Sequence, residues 1–210
     1  MRKIYYCYDA LCGWCYGFSP VIAEFASQHP DLPVRVVSGG IITGGRIGSI
    51  GEVAGYIGQA YRVVEDRCGV TFGAGFLDGV LKPGTAVFTS VPAAVAMAVF
   101  RELLPDRQLD FAASLQRAVY YDGSEPLDLD AYADRAATFG LDRTDFRKRL
   151  DAPHYQQLAQ EDFEQTARWG VSGFPTVVYD DGSGKLYALA RGYVPLDQLE
   201  QTYQMAMASV

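Results

Sequence analysis

The chain has 210 residues and a formal net charge of −7, with 49% apolar and 20% charged residues. That balance supports a buried core, excludes a disordered or coiled-coil chain, and lacks the basic surplus of a duplex nucleic-acid binder. No apolar run approaches the roughly 18 residues of a membrane span, and Met1–Tyr6 lacks the long apolar stretch of a signal peptide, so a cytoplasmic location with no membrane partner is expected.

Residues 4–8 are rich in strand formers and read as a first strand. Trp14–Gln28 reads as a helix bent at Pro20, and Val34–Val37 as a second strand. This β-α-β opening makes the two strands parallel. Gly39, Gly40, Gly44 and Gly45 follow, but Arg46-Ile47 stands where a phosphate loop needs Lys and Ser or Thr. The glycines therefore read as a flexible connection into a helical unit. That unit begins with residues 51–67, where Val53, Tyr56, Ile57, Ala60, Tyr61 and Val64 recur at helical spacing. Residues 69–84, rich in Gly and aromatics, read as irregular. Ser90 is the expected cap of a strongly apolar helix through Leu104, whose run Val91–Phe100 reads as the buried centre of the unit. Helices over 110–121, 128–139 and 144–150 complete the series, and Arg143, Arg147, Lys148 and Arg149 read as a solvated face. A helix over 154–169, strands at 176–179 and 186–190 joined by the turn Asp181–Gly184, and a last helix from Pro195 close the chain. The order is β-α-β, a helical block, then α-β-β-α: an α/β chain in which residues 1–42 and 151–210 form one unit and 43–150 an insert.

Four cysteines, Cys7, Cys12, Cys15 and Cys68, are too few to staple a scaffold of this size. Cys12-Gly13-Trp14-Cys15 falls where a strand ends and a helix begins. A Cys12 thiolate there faces unpaired N–H groups and the positive end of the helix, while Cys15 lies one turn inside. The arrangement makes Cys12 the attacking and Cys15 the resolving thiol. Half a zinc site is the competing reading. It needs further ligands, and His29 and His154 stand far apart without neighbouring cysteines, leaving only Cys7 or Cys68 to complete a cluster. No metal is expected. Cys7 reads as a small buried residue and Cys68 as partly exposed at a helix end.

The chain resembles the DsbA-like thioredoxin-fold family, in its cytosolic branch related to FrnE and to Cys-x-x-Cys protein-disulfide isomerases. The resemblance rests on Tyr8-Asp9-Ala10-Leu11-Cys12-Gly13-Trp14-Cys15-Tyr16-Gly17, on Gly39-Gly40 and Phe72-Gly73, and on Gly170-Val171-Ser172-Gly173-Phe174-Pro175-Thr176. It implies a thioredoxin-like fold with a helical domain inserted between the βαβ and αββα parts. It also implies that Cys12 is the exposed nucleophile, Cys15 its buried partner, and Pro175 a cis-proline facing the dithiol. A cis proline there leaves the Phe174 amide and carbonyl free to bind an extended polypeptide. Trp14, Tyr16 and Phe174 would rim the sulfurs, with Thr176 beside them as a substrate-binding residue. Two departures matter. The dipeptide Gly13-Trp14 lacks the histidine of the strongly oxidising members, so a less oxidising pair is expected. Tyr6 stands six residues before the nucleophile, where related proteins place a buried acid, leaving Asp9 and Glu24 as the nearby acids for proton transfer.

The implied activity is thiol–disulfide exchange, as reductase or isomerase, on protein or small-molecule disulfides. The redox-active disulfide serves as the working group with no tightly bound cofactor, and glutathione or a reductase supplies electrons. Two alternatives stay open: a glutathione-dependent isomerase or transferase of the same fold, against which Cys15 argues, and a non-enzymatic peptide-binding or chaperone module. The pattern is compatible with a monomer or a homodimer.

Overall fold

Ile4, Tyr6 and Tyr8 project from strand β1 (Lys3–Tyr8) into the main apolar cluster, while Cys7, on the opposite face, is buried as well. A strand covered on both faces belongs in the middle of a sheet. Helix α1 (Gly13–Gln28) runs unbroken over Pro20 and turns Cys15, Phe18, Ile22 and Phe25 inward. It returns the chain to β2 (Val34–Ser38), which pairs in parallel with β1 from Ile4↔Val34 to Tyr8↔Ser38. The computed structural model describes residues 1–209.

The block that follows opens with β3 (Gly48–Ser49), a 3-10 turn over Ile50–Val53 and helix α2 (Ala54–Cys68). The stretch expected to be irregular holds helical turns instead: α3 (Ala74–Phe76) runs into a π-type turn at Leu77–Leu81. Gly73 and Gly75 permit this, because their backbone lies directly on the main chain of Tyr121 and Asp122, where a Cβ would collide. β4 (Val87–Phe88) pairs antiparallel with β3. In α4 (Val91–Leu103) every residue from Ala93 to Phe100 is buried. Ser90 does not cap that helix; its hydroxyl donates to Asp9 Oδ1 at 3.0 Å and accepts from the Ile42 N–H at 3.0 Å. Helices α5 (Gln108–Tyr120), α6 (Leu129–Ala137) and α7 (Arg143–Leu150) pack around α4, with Phe100 and Phe111 stacked at 3.9 Å. The carboxylates of Asp128 and Asp142 cap α6 and α7. Arg143, Arg147 and Arg149 of the basic cluster close ion pairs with Asp130, Asp134, Asp145, Asp151 and Glu102.

The chain then re-enters the sheet layer through α8 (Pro153–Arg168), β5 (Thr176–Asp180), β6 (Leu186–Arg191) and α9 (Leu196–Met207). β5 pairs antiparallel with β1 and with β6, giving the order β2-β1-β5-β6 and a bulge at Val177/Val178. α8 packs on β2 and α4, and α9 on α1 and β6. One apolar cluster runs from the sheet through α4, α5, α6 and α7. This is the α/β, thioredoxin-like architecture with helices inserted between β-α-β and α-β-β-α. Among the described residues no helix is long and apolar enough to cross a membrane.

Candidate active site

As the chain leaves β1, the buried carboxylate of Asp9 fixes the turn into α1. It accepts from the Leu11 N–H at 2.9 Å, the Ile41 N–H at 2.8 Å and the Ser90 hydroxyl at 3.0 Å. Three separate segments are thereby tied to one side chain. Burial raises the Asp9 pKa, and these hydrogen bonds offset only part of the rise.

The turn delivers Cys12 to the position just before α1, with extended backbone (φ −99°, ψ 111°). Its thiol faces the Phe174 carbonyl oxygen at 3.5 Å and closes no capping hydrogen bond. Once ionised, the sulfur meets the Cys15 thiol first, then the N–H groups of Cys15 and Trp14, and its pKa is lowered despite burial. Cys15 is fully buried one turn along, and burial pushes its thiol well up, reinforced by Cys12 beside it. The two side chains are thus separated in character by position alone. Behind them the Tyr6 hydroxyl lies 3.5 Å from the Cys15 carbonyl oxygen.

The other two thiols stand apart from this chemistry. Cys7 is buried and pushed up to about 12 by desolvation and by the charge of Asp162. Cys68 packs against Gly17 of α1 and is pushed up to about 11, chiefly by burial. Among the described residues no three His, Cys, Asp or Glu side chains come together as a metal cluster would require.

The Phe174–Pro175 peptide is cis, with Pro175 buried. The Phe174 ring lies on Gly39, so close that a Cβ there would overlap it, while the Phe174 carbonyl faces Cys12. Trp14 is half-buried, lines the opening above Cys12 and leans toward Tyr193. Tyr16 turns away: its hydroxyl donates to the Thr71 carbonyl at 2.8 Å and its ring packs on Phe72 and Tyr120. Thr176 is occupied by the Gly173 carbonyl, to which it donates at 2.8 Å, and by its place in the sheet. Glu24 lies three turns along α1, exposed and bonded to Gln28, and is not brought to the sulfurs.

Above Cys12 opens a cleft of about 590 Å³ between the start of α1 and the helical block. Leu11, Ile42, Phe72 and Tyr120 form apolar walls, and Ile47, Val53 and Tyr56, exposed by 44%, 49% and 73%, stand at its mouth. Tyr120 is buried near both thiols. Sequence reasoning missed Tyr120, Ser90 and Ile42 because each reaches the site from a distant part of the chain. A second cavity of about 410 Å³ lies between Trp169 and Arg191, and neither Cys12 nor Cys15 lines it.

The sequence model of the DSBA-like thioredoxin domain matches residues 80–204. None of the curated proteins matches. Among solved structures, a candidate protein disulfide isomerase of Nitrosomonas europaea is similar with a TM-score of 0.88 at 25% identity, over 99% of this chain and 98% of that one. The cytosolic disulfide reductase DsbM of Pseudomonas aeruginosa is similar with a TM-score of 0.82 at 27% identity, over 99% and 100%. The same reductase solved with GSH gives 0.78 at 27% identity, over 98% and 99%. With the family match spanning more than half of its residues, the chain belongs to the DSBA-like thioredoxin domain family.

Proposed function

We propose that the protein is a thiol–disulfide oxidoreductase that works as a reductase or isomerase through Cys12 and Cys15. The observation that carries this reading is the asymmetry of the pair. Cys12 is partly accessible at a helix N-terminus with a lowered pKa, and Cys15, one turn on, is fully buried with a raised one. The Cys12 thiolate attacks one sulfur of a substrate disulfide, forms a mixed disulfide and expels the other sulfur as a thiolate, which takes up a proton. Cys15 then gives up its proton and attacks Cys12. The second substrate sulfur leaves reduced, and the pair is left as a disulfide. Asp9, whose charge reaches both thiols, serves as the proton acceptor for Cys15. Run backwards, the same steps insert a disulfide, so the redox partner sets the direction.

The Phe174 carbonyl, beside the Cys12 sulfur, suits pairing with an extended substrate backbone, and Trp14 supplies an apolar wall. The likeness to a cytosolic disulfide reductase solved with GSH supports the reducing direction, glutathione as co-substrate and a cytoplasmic location. The Tyr8–Gly17 segment supports placement in the FrnE-related branch, with residues 43–150 as the inserted domain. A glutathione-dependent isomerase has no use for a buried Cys15 thiol beside Cys12.

The test is a Cys15→Ser protein incubated with a disulfide-bonded peptide or oxidised glutathione. It should accumulate a mixed disulfide on Cys12 that the wild type resolves, read by intact mass. Failure of Cys12 to form any adduct would overturn the reading.

A further inference from the structure

We propose that the cleft over Cys12 carries a charge-recognition pair, Arg46 and Glu52, that selects low-molecular-weight disulfides bearing both carboxylate and ammonium groups, of the glutathione class. This rests on the thiol–disulfide exchange reading and adds to it the residues that choose the substrate.

Arg46 ends the 3-10 turn Gly44–Arg46 at the cleft wall. Its Nη2 donates to the Gly40 carbonyl at 3.2 Å, which pins the guanidinium to the loop beside the site while leaving other N–H groups unspent. Among the described residues no carboxylate lies within ion-pair distance of it, as for Arg2, Arg62, Arg67, Arg117 and Arg191; what sets Arg46 apart from them is its place on the wall of the Cys12 cleft. Glu52 stands in the turn Ile50–Val53 of the same wall, and among the described residues it too has no cationic partner. Leu11, Ile42 and Phe72 line the same cleft.

Three physical points favour a small zwitterion. The cleft, at about 590 Å³, falls within the roughly 300–1,000 Å³ of small-ligand sites. The planar guanidinium fork matches a carboxylate, and Glu52 offers an acceptor for an ammonium group. The chain as a whole carries −7, so an anionic disulfide is repelled at long range and needs a local cation to dwell near the thiolate. With oxidised glutathione the step balances without a further reactant. Cys12 attacks, the glutathione S–S bond breaks, and one glutathione leaves as a thiolate. Cys15 then attacks the mixed disulfide and releases the second. The protein dithiol is oxidised, the glutathione disulfide is reduced, and the two thiol protons end on the two released glutathiones.

The experiment measures the oxidation rate of the reduced Cys12–Cys15 pair by oxidised glutathione and by the uncharged hydroxyethyl disulfide, counting thiols by intact mass after tagging. The quantity read is the ratio of the two rates. Arg46→Gln should lower this ratio about tenfold, the scale of one charge-assisted hydrogen bond. Arg46→Lys should fall between the wild type and Arg46→Gln, because the charge remains while the planar fork is lost. Added salt should lower the ratio in the wild type and not in Arg46→Gln. An unchanged ratio in Arg46→Gln would overturn the proposal while leaving exchange intact. If neither disulfide oxidises the wild-type pair, the exchange reading fails and this proposal falls with it.

Discussion

Asp9 is the residue whose environment departs furthest from its appearance in the sequence. In the sequence it is only an acid three residues before Cys12, near enough for proton transfer. Folding buries it among two N–H donors and a hydroxyl contributed from three segments, one of them 81 positions away. Its charge raises both thiols. Asp9→Asn should therefore move the pH midpoint of Cys12 alkylation further below the value of about 8.5 for a free cysteine, and slow resolution of the Cys12 mixed disulfide. An upward shift would contradict the assignment. Linkage supplies an independent check. A carboxyl whose folded pKa lies above its unfolded one contributes stability that is complete at pH below the unfolded value and lost as pH rises through the folded value. The wild type should lose stability over that interval relative to Asp9→Asn, measured by urea midpoints across pH. The Cys12–Cys15 pair was legible because spacing and the strand-to-helix junction are local properties. The roles of Ser90 and Tyr120 were not, because nothing local marks a side chain for a partner across the fold.

At the scale of elements, the placement of the Phe174 ring, whose carbonyl faces Cys12, depends on a bare backbone at Gly39, where β2 hands over to the next loop. Gly39→Ala puts a methyl group into the Phe174 ring. The ring must then move, and if it carries the Phe174 carbonyl with it, exchange with a peptide disulfide should slow about ten- to a hundredfold, the scale of an ångström-sized misplacement at a reacting centre. Rates within twofold of the wild type would show that Phe174 does not position substrate. The longer elements were readable from periodicity: the buried run of α4 and the inward face of α1 follow their apolar spacing. The pair β3 and β4, two residues each, is too short to carry a period. The turns over 74–81 hid in a Gly-rich stretch whose meaning, a backbone lying on a backbone, appears only when Tyr121 and Asp122 are beside it.

For the whole molecule, the sheet and the inserted helices are fastened at Asp162. This carboxylate, its residue 1% exposed, accepts from the Ser38 N–H of β2 at 3.1 Å and from Arg101 of α4 at 2.8 Å, while its own helix is α8. Asp162→Ala leaves a mostly buried guanidinium and a buried N–H without their acceptor and should cost about 3–5 kcal/mol of unfolding free energy, read by urea denaturation. A loss below about 1 kcal/mol would mean that water replaces the carboxylate freely. The sequence order β-α-β, helices, α-β-β-α foretold which segments form the sheet, but a bond spanning 124 positions has no local signature.

The most direct test of the central claim is a redox titration of the intact protein in graded glutathione buffers, with free thiols mass-tagged and counted beside a Cys12→Ser control. The Cys12–Cys15 account predicts one transition in which two thiols disappear together, absent from the control. Four thiols persisting across the whole series would contradict it.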